Sequence, residues 1–277
     1  MKNSNELNLL SRKLMNIAVE SALKVAPYLM EVFESGIIPE EKKGYYDLVT
    51  EADRNAEALL VEHLTQSYPD SCVLGEENGE QGTGSVSWII DPIDGTNNFV
   101  SGIPFFCISI GAVYEGEVIA GVIYDPVRQE MFNASLEGAF LNGESILSSG
   151  NARDNASLLM SGFPYEGGAA RDEDFLFFQQ LIANFHAVRR LGSTALELAY
   201  VASGRADVTF QTNANPWDVT AGMFLIEQAG GQYYVPIGTA DKEEMKWNSS
   251  RFVGACADFI IEESVLNELL VGKERII

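Results

Sequence analysis

The chain has 277 residues, 46% of them hydrophobic, and a formal net charge of −22 at pH 7. That length and apolar content suffice for a large core in one domain or in two closely packed lobes. The acidic balance argues against nucleic acid as a partner, since a phosphate backbone needs a basic patch, and an anionic substrate is repelled unless divalent cations invert the field locally.

Leu7, Leu10, Leu14, Ile17, Ala18, Ala22, Val25 and Leu29 recur at helical spacing, so residues 5–34 read as an amphipathic helix that Gly36 ends. Residues 36–46 have no period and read as a loop or short hairpin. A second helix begins near Thr50, with Thr50 and Asp53 as a capping pair. Cys72-Val-Leu-Gly75 is a short apolar strand that runs into Glu76-Glu77. Trp88-Ile-Ile90 reads as a buried strand, cut off by Asp91-Pro-Ile-Asp94-Gly95-Thr96, where Pro and Gly mark a turn. β-type runs follow at 105–114, 118–124 and 131–134, the first two joined by the turn Tyr114-Glu-Gly-Glu117.

Beyond about residue 150 the order alternates. A strand at 157–161 precedes a helix at 173–185, a strand at 187–190, a helix from Ser193 and a strand at 206–211. A helix from Pro216 to Ala229 is closed by Gly230-Gly231, and a strand at 251–255 leads to a final helix at 258–271. Long antiparallel runs followed by alternating elements predict a layered α/β protein with mixed sheets. We expect a single domain over 1–277 with two lobes, roughly 1–150 and 151–277, meeting at a seam near 148–156. No apolar run approaches bilayer length, and Met1-Lys-Asn-Ser-Asn-Glu lacks the order of a signal peptide. Cys72, Cys107 and Cys256 are far apart and without CxxC spacing, which fits reduced thiols in a cytoplasm and no membrane partner.

Asp91 and Asp94 stand at the end of a rigid element, where oxygen ligands fix hard cations. The N–H groups of Gly95 and Thr96 can then face a phosphate oxygen. Taken singly, each acid has an ordinary reading: Asp in a turn caps its own backbone, and an acid such as Asp53 or Asp218 in a helix's first turn is favoured by the dipole. The coincidence carries the chemistry. Glu76, Asp91, Asp94, Asp218, Asp53 and Thr96 supply the roughly three to five carboxylates, the held water and the donors that two-metal phosphate hydrolysis requires. His63 and His186, the only histidines, read as packing or surface residues, so no Ser-His-Asp arrangement competes. Aspartyl-phosphate chemistry is also rejected. It uses Asp-x-Asp, whereas the spacing here is three, and a strand's period of two sends Asp91 and Asp94 to different faces.

Together the motifs resemble the inositol monophosphatase family of magnesium-dependent, lithium-sensitive phosphatases. The resemblance is carried by Asp47-Leu-Val-Thr-Glu-Ala-Asp53, Gly75-Glu-Glu77, the stretch from Trp88 to Phe99, and Pro104-Phe…Ser109-Ile-Gly111. It continues through Gly138-Ala-Phe…Asn142-Gly143, Gly192-Ser-Thr-Ala195, Ala202-Ser-Gly204 and Trp217-Asp218-Val…Ala221-Gly222, in order over nearly the whole chain. The resemblance implies a layered αβαβα sandwich of the sugar-phosphatase type, a homodimer, and hydrolysis of a small-molecule phosphate ester.

It also implies two to three Mg2+ ions. Glu76, Asp91 and the Ile93 carbonyl would hold the first, Asp91, Asp94 and Asp218 the second, and Glu76 with waters a weaker third. Thr96 with Asp53 would orient and deprotonate the attacking water beside Glu76. Gly95, Thr96, Asn97, Ser193, Thr194, Gln211 and Asp218 would meet the substrate, under a flap carrying Lys42 and Lys43. Two positions depart from the inositol-specific pattern: Gln211 stands where those members have Glu, and Thr194 where they tend to have Ala. Inositol monophosphate is the expected substrate, and Gln211→Glu is expected to raise relative activity on it. Fructose 1,6-bisphosphate and the nucleotide phosphates NADP and 3′-phosphoadenosine 5′-phosphate stand as alternatives. A metal-binding regulatory protein is the non-enzyme reading; such a relative should have lost a ligand or Thr96, and none is missing.

Overall fold

The computed structural model describes residues 4–35, 51–164, 171–236 and 245–271. The expected loop at 36–46, with Lys42 and Lys43, lies outside the described residues, as do Asp47 and Thr50.

Helices α1 (Ser4–Ser35) and α2 (Glu51–Ser67) lie on an eight-stranded sheet. Leu10, Leu14, Ile17, Ala18, Val25 and Leu29 form the buried stripe of α1, as their three- and four-residue spacing requires. The sheet contains β1 (Ser71–Gly75), β2 (Gly79–Gly82), β3 (Val86–Asp94), β4 (Cys107–Tyr114) and β5 (Glu117–Asp125). It continues with β6 (Glu130–Ser135), β7 (Gly138–Leu141) and β8 (Glu144–Ser145). Its order is β2-β1-β3-β4-β5-β6-β7-β8; β1 and β3 run parallel and the other neighbours antiparallel. A single turn of helix, α3 (Thr96–Val100), follows β3.

The second sheet has five strands: β9 (Leu158–Met160), β10 (Ala187–Arg189), β11 (Val208–Gln211), β12 (Gln232–Tyr234) and β13 (Phe252–Ala255). Their order is β10-β9-β11-β13-β12, with parallel and antiparallel pairs. Helix α4 (Asp172–Asn184) and the short α7 (Asn267–Leu270) cover its outer face. Between the sheets lie α5 (Thr194–Ala202) and α6 (Pro216–Gln228), whose apolar residues pack on both. The layers are therefore αβαβα.

Close approach of α6 depends on glycine. A Cβ on Gly111 of β4 would stand 2.5 Å from Thr220 Cγ2, and one on Gly121 of β5 would stand 2.8 Å from Ala221 O. The N-terminus of α6, with Asp218, is thus seated against the sheet that carries Asp91 and Asp94.

The elements differ from expectation where the pattern is short or polar. β2 reads Gly-Glu-Gln-Gly and carries no apolar alternation, and β7, β8, β12 and α3 are two to five residues long. The expected final helix at 258–271 is only a 3₁₀ turn at Ile261–Glu263 followed by α7. Gln232 Nε2 shares its two hydrogens among the carbonyls of Cys256, Ala257 and Phe259, which holds the entry to that segment away from a helical path.

Candidate active site

Asp91 of β3 pairs with Ser109 of β4, and Asp94 with Cys107. Three steps on one strand therefore oppose two on the other, a one-residue bulge at Pro92-Ile93. The extra residue reverses the alternation, so the expectation that Asp91 and Asp94 take different faces is overturned. One oxygen each from Asp91, Asp94 and Asp218 lies within 4.8 Å of the others. The case against a covalent aspartyl-phosphate rests instead on the Asp-x-x-Asp spacing and on Asp91 being buried at 2% exposure.

Each carboxylate is held from behind. Asp91 Oδ1 accepts from Ile93 N at 2.9 Å. Asp94 Oδ2 accepts from Ser193 Oγ at 2.5 Å, from Ala195 N at 2.7 Å and from Cys107 Sγ at 3.7 Å. Asp218 is the third residue of α6 and accepts from Asn215 N at 2.7 Å, closing a capping box with Pro216 at the first helical position. Ser109 Oγ donates to Trp217 O at 3.1 Å, tying β4 to α6 beside the cluster.

The cluster is electrostatically frustrated. Burial raises Asp91 well above the usual carboxylate range, and Glu76, Asp94 and Asp218 add repulsion that the Ile93 bond only partly offsets. Asp94 is raised by burial despite its donors, and Asp218 is pushed up to about 7 by burial and then by Asp94. Glu76 rims the site and is pushed up to about 8 by desolvation of its carboxyl, then by Asp218, Glu77, Asp53 and Asp94. Among the described residues, no Lys or Arg forms a salt bridge with Asp91, Asp94 or Asp218. Buried acids in mutual repulsion, without a counter-charge among the described residues, fit a hard divalent cation.

Around the cluster, Thr96 Oγ1 lies 3.4 Å from Asp53 Oδ1 and donates to Ile93 O at 3.1 Å. Thr96 opens α3 behind Gly95, whose φ of +98° sharpens the turn, so the first N–H groups of α3 have no partner within the helix. Asn97 is exposed on α3.

Three of the expected substrate contacts make hydrogen bonds within the protein. Ser193 is buried, caps α5 and bonds Asp94. Thr194, partly buried, starts α5 and adds a backbone bond to Asp94. Gln211 is buried at 3% exposure; its Nε2 donates to Glu197 Oε2 at 3.0 Å and its Oε1 accepts from Gly162 N at 3.3 Å.

Ser193→Ala is therefore expected to act through Asp94. It removes a charge-assisted bond worth roughly 1–3 kcal/mol. Thermal unfolding should show lower stability, and titration calorimetry roughly tenfold weaker Mg2+ binding. Gln211→Glu would place a second carboxyl against Glu197, itself fully buried and pushed up to about 8 by burial and by Asp94. Rather than gain activity on inositol phosphate, the variant is expected to lose about 2 kcal/mol as pH rises past 7, because two adjacent buried carboxyls cannot both ionise. Urea denaturation at pH 6 and pH 9 checks this.

Several supporting residues escaped the sequence reading. Glu57 is fully buried and accepts from Glu77 N at 2.9 Å, Asn78 N at 3.0 Å and Asn78 Nδ2 at 2.8 Å, so α2 holds the turn that carries Glu76. Its signal is its place four residues after Asp53, on one helix face. Asn98 Nδ2 donates to Phe105 O at 2.8 Å and Leu191 O at 2.7 Å, locking α3 to the loop before Ser193. Glu197 could have been noticed as a lone acid in the apolar run Ala195-Leu-Glu-Leu-Ala199.

Known proteins resemble this chain in sequence and in fold. A family model described as "Inositol monophosphatase family" matches residues 10–273. The protein named "Nus factor SuhB" of Escherichia coli (strain K12) is 39% identical over 223 residues, which cover 79% of this chain and 83% of that protein. The crystal structure of the extragenic suppressor protein suhB from Bartonella henselae superposes with a TM-score of 0.80 at 32% identity, covering 88% of this chain and 94% of the other. A Thermotoga maritima IMPase superposes with a TM-score of 0.77 at 33% identity, covering 92% and 94%.

Proposed function

The chain belongs to the inositol monophosphatase family, and on that premise we propose that it is a magnesium-dependent phosphomonoesterase acting on a small phosphorylated polyol, inositol monophosphate first among the candidates. The observation that supports this most is the convergence of Asp91, Asp94 and Asp218 from β3 and α6.

In this reading Asp91, Asp94, Asp218, Glu76 and the Ile93 carbonyl would hold two to three Mg2+ ions. Bound magnesium supplies neutralisation of phosphate charge and a lowered pKa for the attacking water. The protein's own groups do the rest. Asp53 and Thr96 orient that water through the Thr96 hydroxyl, and Asp53 takes its proton. The Gly95 and Thr96 N–H groups at the start of α3 hold phosphoryl oxygens, which carry more charge in the transition state. Ser193, the first N–H groups of α5 and Cys107 keep Asp94 in place. The enzyme is taken to be a cytoplasmic, lithium-sensitive homodimer; among the described residues no helix is long and apolar enough to cross a membrane.

A second reading comes from the relatives named Nus factor: a regulatory protein that keeps this fold, with partners in place of a substrate. The intact set Asp53, Glu76, Asp91, Asp94, Thr96 and Asp218 favours turnover. One screen separates the readings. Phosphate release is measured from inositol monophosphate, fructose 1,6-bisphosphate, NADP and 3′-phosphoadenosine 5′-phosphate, with magnesium and with chelator. Magnesium-dependent release, fastest from inositol monophosphate, is expected. No release from any ester would leave the regulatory reading.

A further inference from the structure

Among the described residues, the inner helix layer leaves one end of the larger sheet uncovered. Helix α6 sits over β4 and β5, where Gly111 and Gly121 admit it. On the same face toward β2, strand register sets two rungs of side chains. Cys72 of β1 stands beside Ser87 of β3, and the next rung carries Glu80 of β2, Leu74 of β1 and Ile89 of β3. Trp247, from the 3₁₀ turn Lys246–Asn248, overhangs these rungs, its indole N–H donating to Gly116 O at 3.2 Å. Together they line a cavity of about 180 Å³ that includes none of the clustered acids.

We propose that this cavity is a second binding site, for a small organic cation with a single aromatic or aliphatic body. Leu74 and Ile89 give an apolar floor, and the anchored indole of Trp247 gives a π surface suited to an ammonium. Glu80 is exposed on β2 and offers the counter-charge. The Cys72 thiol and Ser87 hydroxyl, 3.1 Å apart on the floor, can accept from the ammonium hydrogens. The field of a chain with net charge −22 draws cations and turns anions away, so this site needs no metal to recruit its ligand. The volume admits one ring, smaller than the pockets of drug-sized ligands.

The test titrates 2-phenylethylamine into the full-length, magnesium-loaded protein, so that the clustered acids are already neutralised. Binding is read by saturation-transfer NMR and by Trp247 fluorescence, with Trp247→Phe as the blank. Saturable binding is expected, roughly fivefold weaker in Glu80→Gln, from loss of one exposed charge partner beside the indole. The anionic analogue 3-phenylpropionate should not bind. Phosphate release without amine should be the same in Glu80→Gln and the parent, which separates this site from the catalytic proposal. Equal affinity in Glu80→Gln, equal binding of 3-phenylpropionate, or no saturable binding of the amine overturns the proposal.

Discussion

Asp91→Asn is expected to lower magnesium-dependent phosphate release by at least about a thousandfold, because it removes the carboxylate that both principal ions would share. The same change should leave the metal-free protein no less stable than the parent. Asn keeps a carbonyl oxygen for the Ile93 N–H, now 2.9 Å from Asp91 Oδ1, and fills nearly the same volume. It also removes a buried acid whose ionised form Glu76, Asp94 and Asp218 oppose. The paired measurement is phosphate release beside thermal unfolding in chelator. Parent-like turnover would remove Asp91 from the metal assignment. A collapse in melting temperature would make Asp91 a structural residue instead.

The identity of the clustered acids was legible in the chain, and their arrangement was not. Asp91, Asp94 and Asp218 stand out as carboxylates at the ends of apolar elements, where solvation alone does not explain them. Period-two reasoning then misplaced Asp94, because a bulge is a tertiary compromise: Pro92 cannot donate to the ladder, and the strand absorbs one extra residue there. Long helices such as α1 and α6 were readable from periodicity. β2 and β12 were not, since their pairing comes from neighbours distant in sequence rather than from their own composition. Ser193 and Gln211 show a further limit. Sequence placed both near the chemistry, but only the packing of α5 against the two sheets shows that Ser193 bonds Asp94 and that Gln211 bonds Glu197. Glu57 escaped for the same reason, its partners being backbone N–H groups twenty residues away.

Removing divalent cations is expected to make this protein less stable as pH rises, the reverse of ordinary acid denaturation. In the folded chain Asp218 holds its proton to about 7 and Glu76 to about 8, and Asp91 and Asp94 are raised in the same direction. In the unfolded chain such groups ionise near 4. Between about pH 4 and pH 8 the folded state therefore binds more protons than the unfolded state, so stability falls across that window and is complete only below it. Glu76 is exposed and its share is screened, so the buried acids dominate, with a combined loss of roughly 2–3 kcal/mol between pH 5 and pH 8, or about 5–10 °C in melting temperature. Mg2+ acts on the same carboxylates with the opposite sign. It binds their ionised form, adds about 2.7 kcal/mol at a hundredfold excess over its dissociation constant, and should flatten the slope. Melting curves at pH 5, 6, 7 and 8, in chelator and in magnesium, measure both effects. Asp91→Asn in chelator should show the shallower slope of a cluster with one fewer acid to ionise. A parent melting temperature that rises with pH in chelator, and that magnesium leaves unchanged at pH 8, would mean that Asp91, Asp94 and Asp218 do not meet around a cation.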